Sequence, residues 1–166
     1  MKWFFLLALP LFVLDQVTKE AIVRNFPPPD SFPLEKTIID GFFSLHRVHN
    51  EGVAFGMFNG TAYANIVFTF IATAALVFII VMWRKGTFPD ALSKTAATLL
   101  VSGILGNLTD RLYRGYVVDF LRFDLGFMVW PSFNVADACI CVAATFLFIS
   151  SFKTPPTPAA ATEHDL

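Results

Sequence analysis

Asn107, Asp110, Arg111, Asp119, Asn134 and Asp137 crowd a stretch, Gly103 to Asp137, that lies between two hydrophobic segments. An ionised side chain near a bilayer centre costs roughly 2.5–3.5 kcal/mol on insertion scales, so residues of this kind need a purpose there. Asn107, Asp110 and Arg111 stand at i, i+3 and i+4 and share one helix face, as do Asn134 and Asp137 at i and i+3. Asp119 sits between them, flanked by Val117, Val118 and Phe120. The connection from Leu112 to Ser132 is long enough to fold back and bring Asp119 beside Asp137. Two carboxylates in one low-dielectric site do not both ionise, and one keeps a proton. Such a pair can activate a water and protonate a scissile carbonyl, the chemistry of an aspartic protease. The same spacing also permits the three Asp residues to pair off with Arg111, Arg114 and Arg122.

The elements that would hold these groups are apolar spans. Trp3 to Val23 forms the first, and no small-x-small cleavage site follows it that would mark a removable leader. Asp15 and Lys19, at i and i+4, can form an ion pair at its polar end, or Asp15 can reach a buried polar site. Tyr63 to Trp83 carries no charge and is bracketed by aromatics, the clearest span in the chain. Residues 92–110 give a third and 133–152 a fourth. Pro27, Pro28 and Pro29 end the first helix, and Pro89 with Asp90 separates the second from the third. Residues 36–58 fit no span. Their aromatic and β-branched part, Phe42 to His49 before the turn residue Gly52, predicts a short strand or hairpin on the bilayer surface. His46 and His49 have no Cys or third His nearby and read as surface histidines rather than metal ligands.

Composition agrees with a single membrane domain. Of 166 residues 55% are hydrophobic, 20 are Phe, and only 15% are charged, against about 25% in soluble domains. A net charge of -1 says nothing in favour of a nucleic-acid partner, no basic stripe exists, and none is expected. Cys139 and Cys141, two residues apart inside the last span, point to nearly opposite sides and read as small packing side chains. The fold expected is mainly α, four transmembrane helices with a small extracytoplasmic β-sheet element, as one domain over residues 1–153. Residues 154–166, rich in Pro and Ala, read as a disordered cytoplasmic tail. Arg84, Lys85, Lys94 and Lys153 put both termini in the cytoplasm by the positive-inside rule, although Arg111, Arg114 and Arg122 fall on the other side.

The chain resembles the lipoprotein signal peptidase (signal peptidase II) family of bacterial membrane aspartyl peptidases. The matching pieces are Asp15-Gln-Val-Thr-Lys19 and Asn50-Glu-Gly52-Val-Ala54-Phe55. Gly103-Ile-Leu-Gly106-Asn107-Leu-Thr-Asp110-Arg111, Val118-Asp119-Phe120 and Phe133-Asn134-Val-Ala136-Asp137 follow in family order. The resemblance implies a catalytic dyad of Asp119 and Asp137. It implies that Asn50, Asn107, Arg111 and Asn134 hold the substrate or an inhibitor, with Asp15, Lys19, Gly52 and Asp110 in support. It further implies cleavage of prolipoproteins before a diacylglyceryl-modified cysteine, without metal or organic cofactor. The expected setting is the bacterial inner membrane, with the site near the extracytoplasmic face and a monomer in contact with lipids. Two rival classes are a small ion- or proton-coupled transporter using the same carboxylates, and a non-enzymatic assembly protein. The ionisable residues collect near one face and span two offers none, which weighs against an ion path.

Overall fold

The computed structural model describes residues 2–31, 34–52 and 62–152. Among the described residues, four α-helices and a four-stranded antiparallel sheet make up the fold. Helix α1 (Leu9–Asn25) is preceded by a π-helical turn, Phe4–Ala8, in which the amide of Leu9 donates to the carbonyl of Phe4. Pro10 explains the wide turn, because it has no N–H to donate and its ring crowds the carbonyl four residues back. Strands β1 (Lys36–Ile39) and β2 (Phe43–Asn50) follow, then α2 (Ala62–Arg84) and α3 (Ala91–Arg114). Strands β3 (Val117–Asp124) and β4 (Val129–Phe133) lead into α4 (Val135–Ser151). The sheet runs β1-β2-β3-β4 in order.

Helices α2 and α3 are each long and apolar enough to cross a membrane, while α4 is a shorter apolar helix. Phe70, Ile66, Phe78 and Val77 on α2 are exposed. A face of this kind belongs in hydrocarbon rather than in water. Asp90 starts α3 by accepting from the amides of Leu92 and Ser93 at 2.9 and 3.2 Å, and Gly115, at φ 82°, ends it. Helix α3 therefore runs four residues past the span expected to close at Asp110, and Asp110 and Arg111 lie within it.

One packing cluster joins α1 to the sheet and another joins two helices. Ile22 of α1 and Phe26 just after it meet Val118 and Phe120 of β3, while Leu99 of α3 packs on Cys139 and Ala143 of α4. Cys139 is buried and Cys141 exposed, and neither is bridged. The connection from Leu112 to Ser132 is not a plain fold-back but the end of α3 followed by the β3–β4 hairpin. Its start is apolar on both faces, because Val117, Val118 and Phe120 are all buried. His46 and His49 are half-buried in the sheet rather than on its surface: His46 bonds Ser132 Oγ at 2.7 Å, and His49 stacks on Tyr116. Burial holds both imidazoles below the usual range. Val53–Phe58, including Ala54 and Phe55, and the tail from Lys153 onward lie outside the described residues.

Candidate active site

Asn134 is the hinge of the polar cluster. As the N-cap of α4 its Oδ1 accepts from the Asp137 amide at 2.9 Å, while the Asp137 carboxylate accepts from the Asn134 amide at 3.2 Å. This reciprocal cap fixes the orientation of the Asn134 side chain, so its Nδ2 faces the other way. That Nδ2 donates to Asp119 Oδ1 at 2.7 Å, and also to Asn107 Oδ1 and the Val118 carbonyl. One fully buried amide thus touches both carboxylate residues.

Each carboxylate has a second amide donor. Asn50, at the end of β2, donates from Nδ2 to Asp119 Oδ2 at 2.9 Å. The pairing of β2 with β3 sets Val48 opposite Asp119 and Asn50 opposite Val117, which brings the two side chains together. Asn107 donates from Nδ2 to Asp137 Oδ1 at 2.7 Å. Asp119 is nearly enclosed, and burial together with the Asp137 charge pushes its carboxyl up to about 7, against the lowering effect of Asn50 and Asn134.

Behind these groups lies a buried ionic cluster. Lys19 Nζ reaches Asp15 at 2.9 Å, Asp110 at 3.1 Å and Asn107 Oδ1 at 2.9 Å, with no solvent exposure. The i, i+4 pair forms, but the expectation of a plain helix-end position for Lys19 is corrected, since the pair stands in the interior; of the two readings left open for Asp15, it takes the buried polar one. A lysine can only donate, so it obliges Asn107 to present oxygen here and N–H to Asp137. Asp15 Oδ1 accepts the Ala136 amide at 2.9 Å and so secures the first turn of α4. Asp110 accepts the Val118 amide at 3.0 Å and pairs with Arg114, which anchors the start of β3. Gly106 makes room for this contact: a Cβ there would lie 2.5 Å from Asp15 Oδ2 and 2.9 Å from Ala136 Cβ. A Cβ on Gly103 would meet the Ala136 carbonyl. Gly52, at φ 111°, donates its amide to Asn50 Oδ1 at 2.9 Å, and only a residue without Cβ fits beside Phe68.

The two ways of partnering the Asp residues are now distinguished. Asp110 does pair with Arg114, but Arg122 pairs with Glu35, and among the described residues neither Asp119 nor Asp137 has an ion-pair partner. Arg111 has its guanidinium 5.6 Å from the Phe68 ring, and its buried Nε has no hydrogen-bond partner among the described residues. Sequence reasoning did not single out Gln16, which donates to Asp15 and to the Gly106 carbonyl. Nor did it single out Arg47, whose bonds to the carbonyls of Val23 and Phe26 tie the end of α1 to β2. The i, i+1 neighbour of Asp15 within a matched motif was the signal available for Gln16; Arg47 had none.

An apolar helical scaffold ending in two hydrogen-bonded carboxylates is the equipment of a membrane hydrolase of the aspartic type. A sequence profile described as signal peptidase (SPase) II matches residues 7–153. The chain is 36% identical over 147 residues to the lipoprotein signal peptidase of Bacillus pumilus, covering 89% of this chain and 90% of that one. It is 38% identical over 141 residues to the lipoprotein signal peptidase of Geobacter sulfurreducens, covering 85% and 86%. A solved bacterial membrane enzyme shares the fold with a TM-score of 0.78 at 25% identity over 93% of each chain. The chain belongs to the signal peptidase II family. It is accordingly a membrane peptidase, and the transporter reading receives no support.

Proposed function

We propose that this chain removes signal peptides from prolipoproteins by hydrolysing the bond before a diacylglyceryl-modified cysteine, with Asp119 and Asp137 as the catalytic pair. The observation that carries the assignment is Asn134, which donates to Asp119 while capping the helix at Asp137. The ionised member of the pair takes a proton from water as its oxygen attacks the carbonyl carbon. The protonated member gives its proton to the carbonyl oxygen, forming a neutral tetrahedral diol. Collapse of the diol breaks the C–N bond, the cysteine amine gains a proton, and the pair returns to its shared single proton. The pair titrates as a unit, so the proton at rest belongs to both.

Asn107 and Asn134 direct their amide hydrogens at the carboxylates, which favours a positioning role for them over direct grip on the substrate. Arg111, whose buried Nε has no partner among the described residues, is suited to meet a substrate carbonyl or a lipid phosphate. Asn50, at the strand end, is suited to the extended peptide. A signal peptide must leave its helix to be cut, and its freed backbone groups need such partners at membrane depth.

The arrangement proposed has α1–α4 as four spans of one domain over residues 1–153, in the bacterial inner membrane with both termini cytoplasmic. Arg84 and Lys85 at the end of α2 support that orientation, and it sets the carboxylates near the extracytoplasmic face. The working unit is a monomer in lipid, without cofactor or nucleic acid. The test is incubation of the pure protein with a diacylglyceryl-modified precursor and an unmodified one, read by intact mass. Cleavage of the modified precursor alone is expected. Cleavage of neither, or of both equally, overturns the assignment.

A further inference from the structure

A crevice of about 350 Å³ opens between the π-helical turn and α2, with α3 from Ala97 to Leu105 as its floor. Its walls include Phe4, Ile80 and Leu76, and its floor Ala97 and Val101. Ala97 lies ten residues before Asn107 on α3, about 15 Å along the axis at 1.5 Å per residue. The volume falls within the roughly 300–1,000 Å³ of small-molecule sites. Trp3, Trp83 and Arg84 line it as well. The indole N–H groups of the two tryptophans have no acceptor among the described residues, and both rings are half-buried. Arg84 and its neighbour Lys85 are exposed and have no carboxylate partner there, whereas Arg24, Arg114 and Arg122 all do.

We propose that this crevice binds one acyl chain of an anionic glycerophospholipid, with Arg84 and Lys85 on its phosphate. The occupant follows from charge and shape together. An apolar slot in a membrane protein accepts a hydrocarbon chain. Two cations without a carboxylate partner among the described residues, together with two indole donors, call for an anionic group with oxygen acceptors. The wide turn imposed by Pro10 holds Phe4 as one wall of the slot, and wide turns of this kind recur at functional sites. The site is independent of the peptide-cutting reaction.

The test uses the full chain purified in mild detergent, stripped of lipid and then supplied with phosphatidylglycerol or phosphatidylethanolamine. Native mass spectrometry counts the lipids that survive activation. One phosphatidylglycerol retained at least tenfold over phosphatidylethanolamine is expected, with that preference lost in Arg84→Gln. Ile80→Trp, which narrows the slot from an exposed wall position, is expected to reduce retention of both lipids. Equal retention of the two lipids by the unaltered chain, or retention unchanged by both substitutions, overturns the proposal and marks the lipids as a nonspecific annulus. The headgroup comparison needs no variant to fold.

Discussion

Replacing Lys19 by Met keeps the length of the side chain and removes its charge, and the structure sets the cost. The ammonium is fully buried against Asp15 at 2.9 Å, Asp110 at 3.1 Å and Asn107 Oδ1 at 2.9 Å. Removing one partner of a buried ionic cluster costs about 3–5 kcal/mol, because the remaining charges are left uncompensated. Asp110 keeps Arg114 and the Val118 amide, and Asp15 keeps the Ala136 amide, so the lower half of that range is expected. At roughly 2–4 °C per kcal/mol for a chain of this size, the melting temperature in detergent should fall by about 6–16 °C. Adding Asp15→Asn, which retains an acceptor for Ala136, should recover part of the loss. The second consequence is catalytic. Without the lysine, the Asn107 oxygen keeps only the longer Asn134 donor at 3.2 Å, its amide is held less firmly toward Asp137, and kcat for a lipidated precursor should drop on the order of 100-fold in the folded fraction. A Lys19→Met protein that melts within 2 °C of the unaltered chain, with kcat unchanged, would refute this reasoning.

Asn134→Ala removes the cap of α4, worth about 0.5–2 kcal/mol, together with the amide donor to Asp119. Circular dichroism melts should show the modest loss, and cleavage should fall far more than the melt implies. Gly106→Ala drives a methyl against Asp15 and Ala136, and overpacking of that kind costs about 1–3 kcal/mol, readable as a lowered melting temperature. The Asp119 carboxyl is pushed up to about 7 by burial and by Asp137, so the pair holds its shared proton below neutrality and loses it above. A pH–rate profile should therefore show kcat/KM declining as pH rises through about 7, with a limb that belongs to the pair.

What could be read from residues alone was the apolar framework and the polar cluster at its end. Uncharged runs such as Tyr63–Trp83 declare themselves by composition. The i, i+3 spacing of Asn134 and Asp137 contained the capping box before any coordinates did. Half of the sheet was hidden for two reasons. Strand β3 opens with residues buried on both faces, so it lacks the alternation that marks a strand. Strand β4 carries Pro131, tolerable because β4 is an edge of the sheet, yet a residue that argues against a strand when only the sequence is read. The depth of Lys19 was likewise invisible, since it depends on the close approach of α3 to α1 that Gly106 permits beside Asp15. Spacing can pair Asp15 with Lys19, but it cannot say that Asp110 and Asn107 close around them.

The most direct measurement is the cleavage rate of a diacylglyceryl-modified precursor by purified Asp119→Asn and Asp137→Asn proteins, each checked for folding by its thermal melt. The account predicts folded proteins with cleavage abolished in both. Full processing by either folded variant would contradict it.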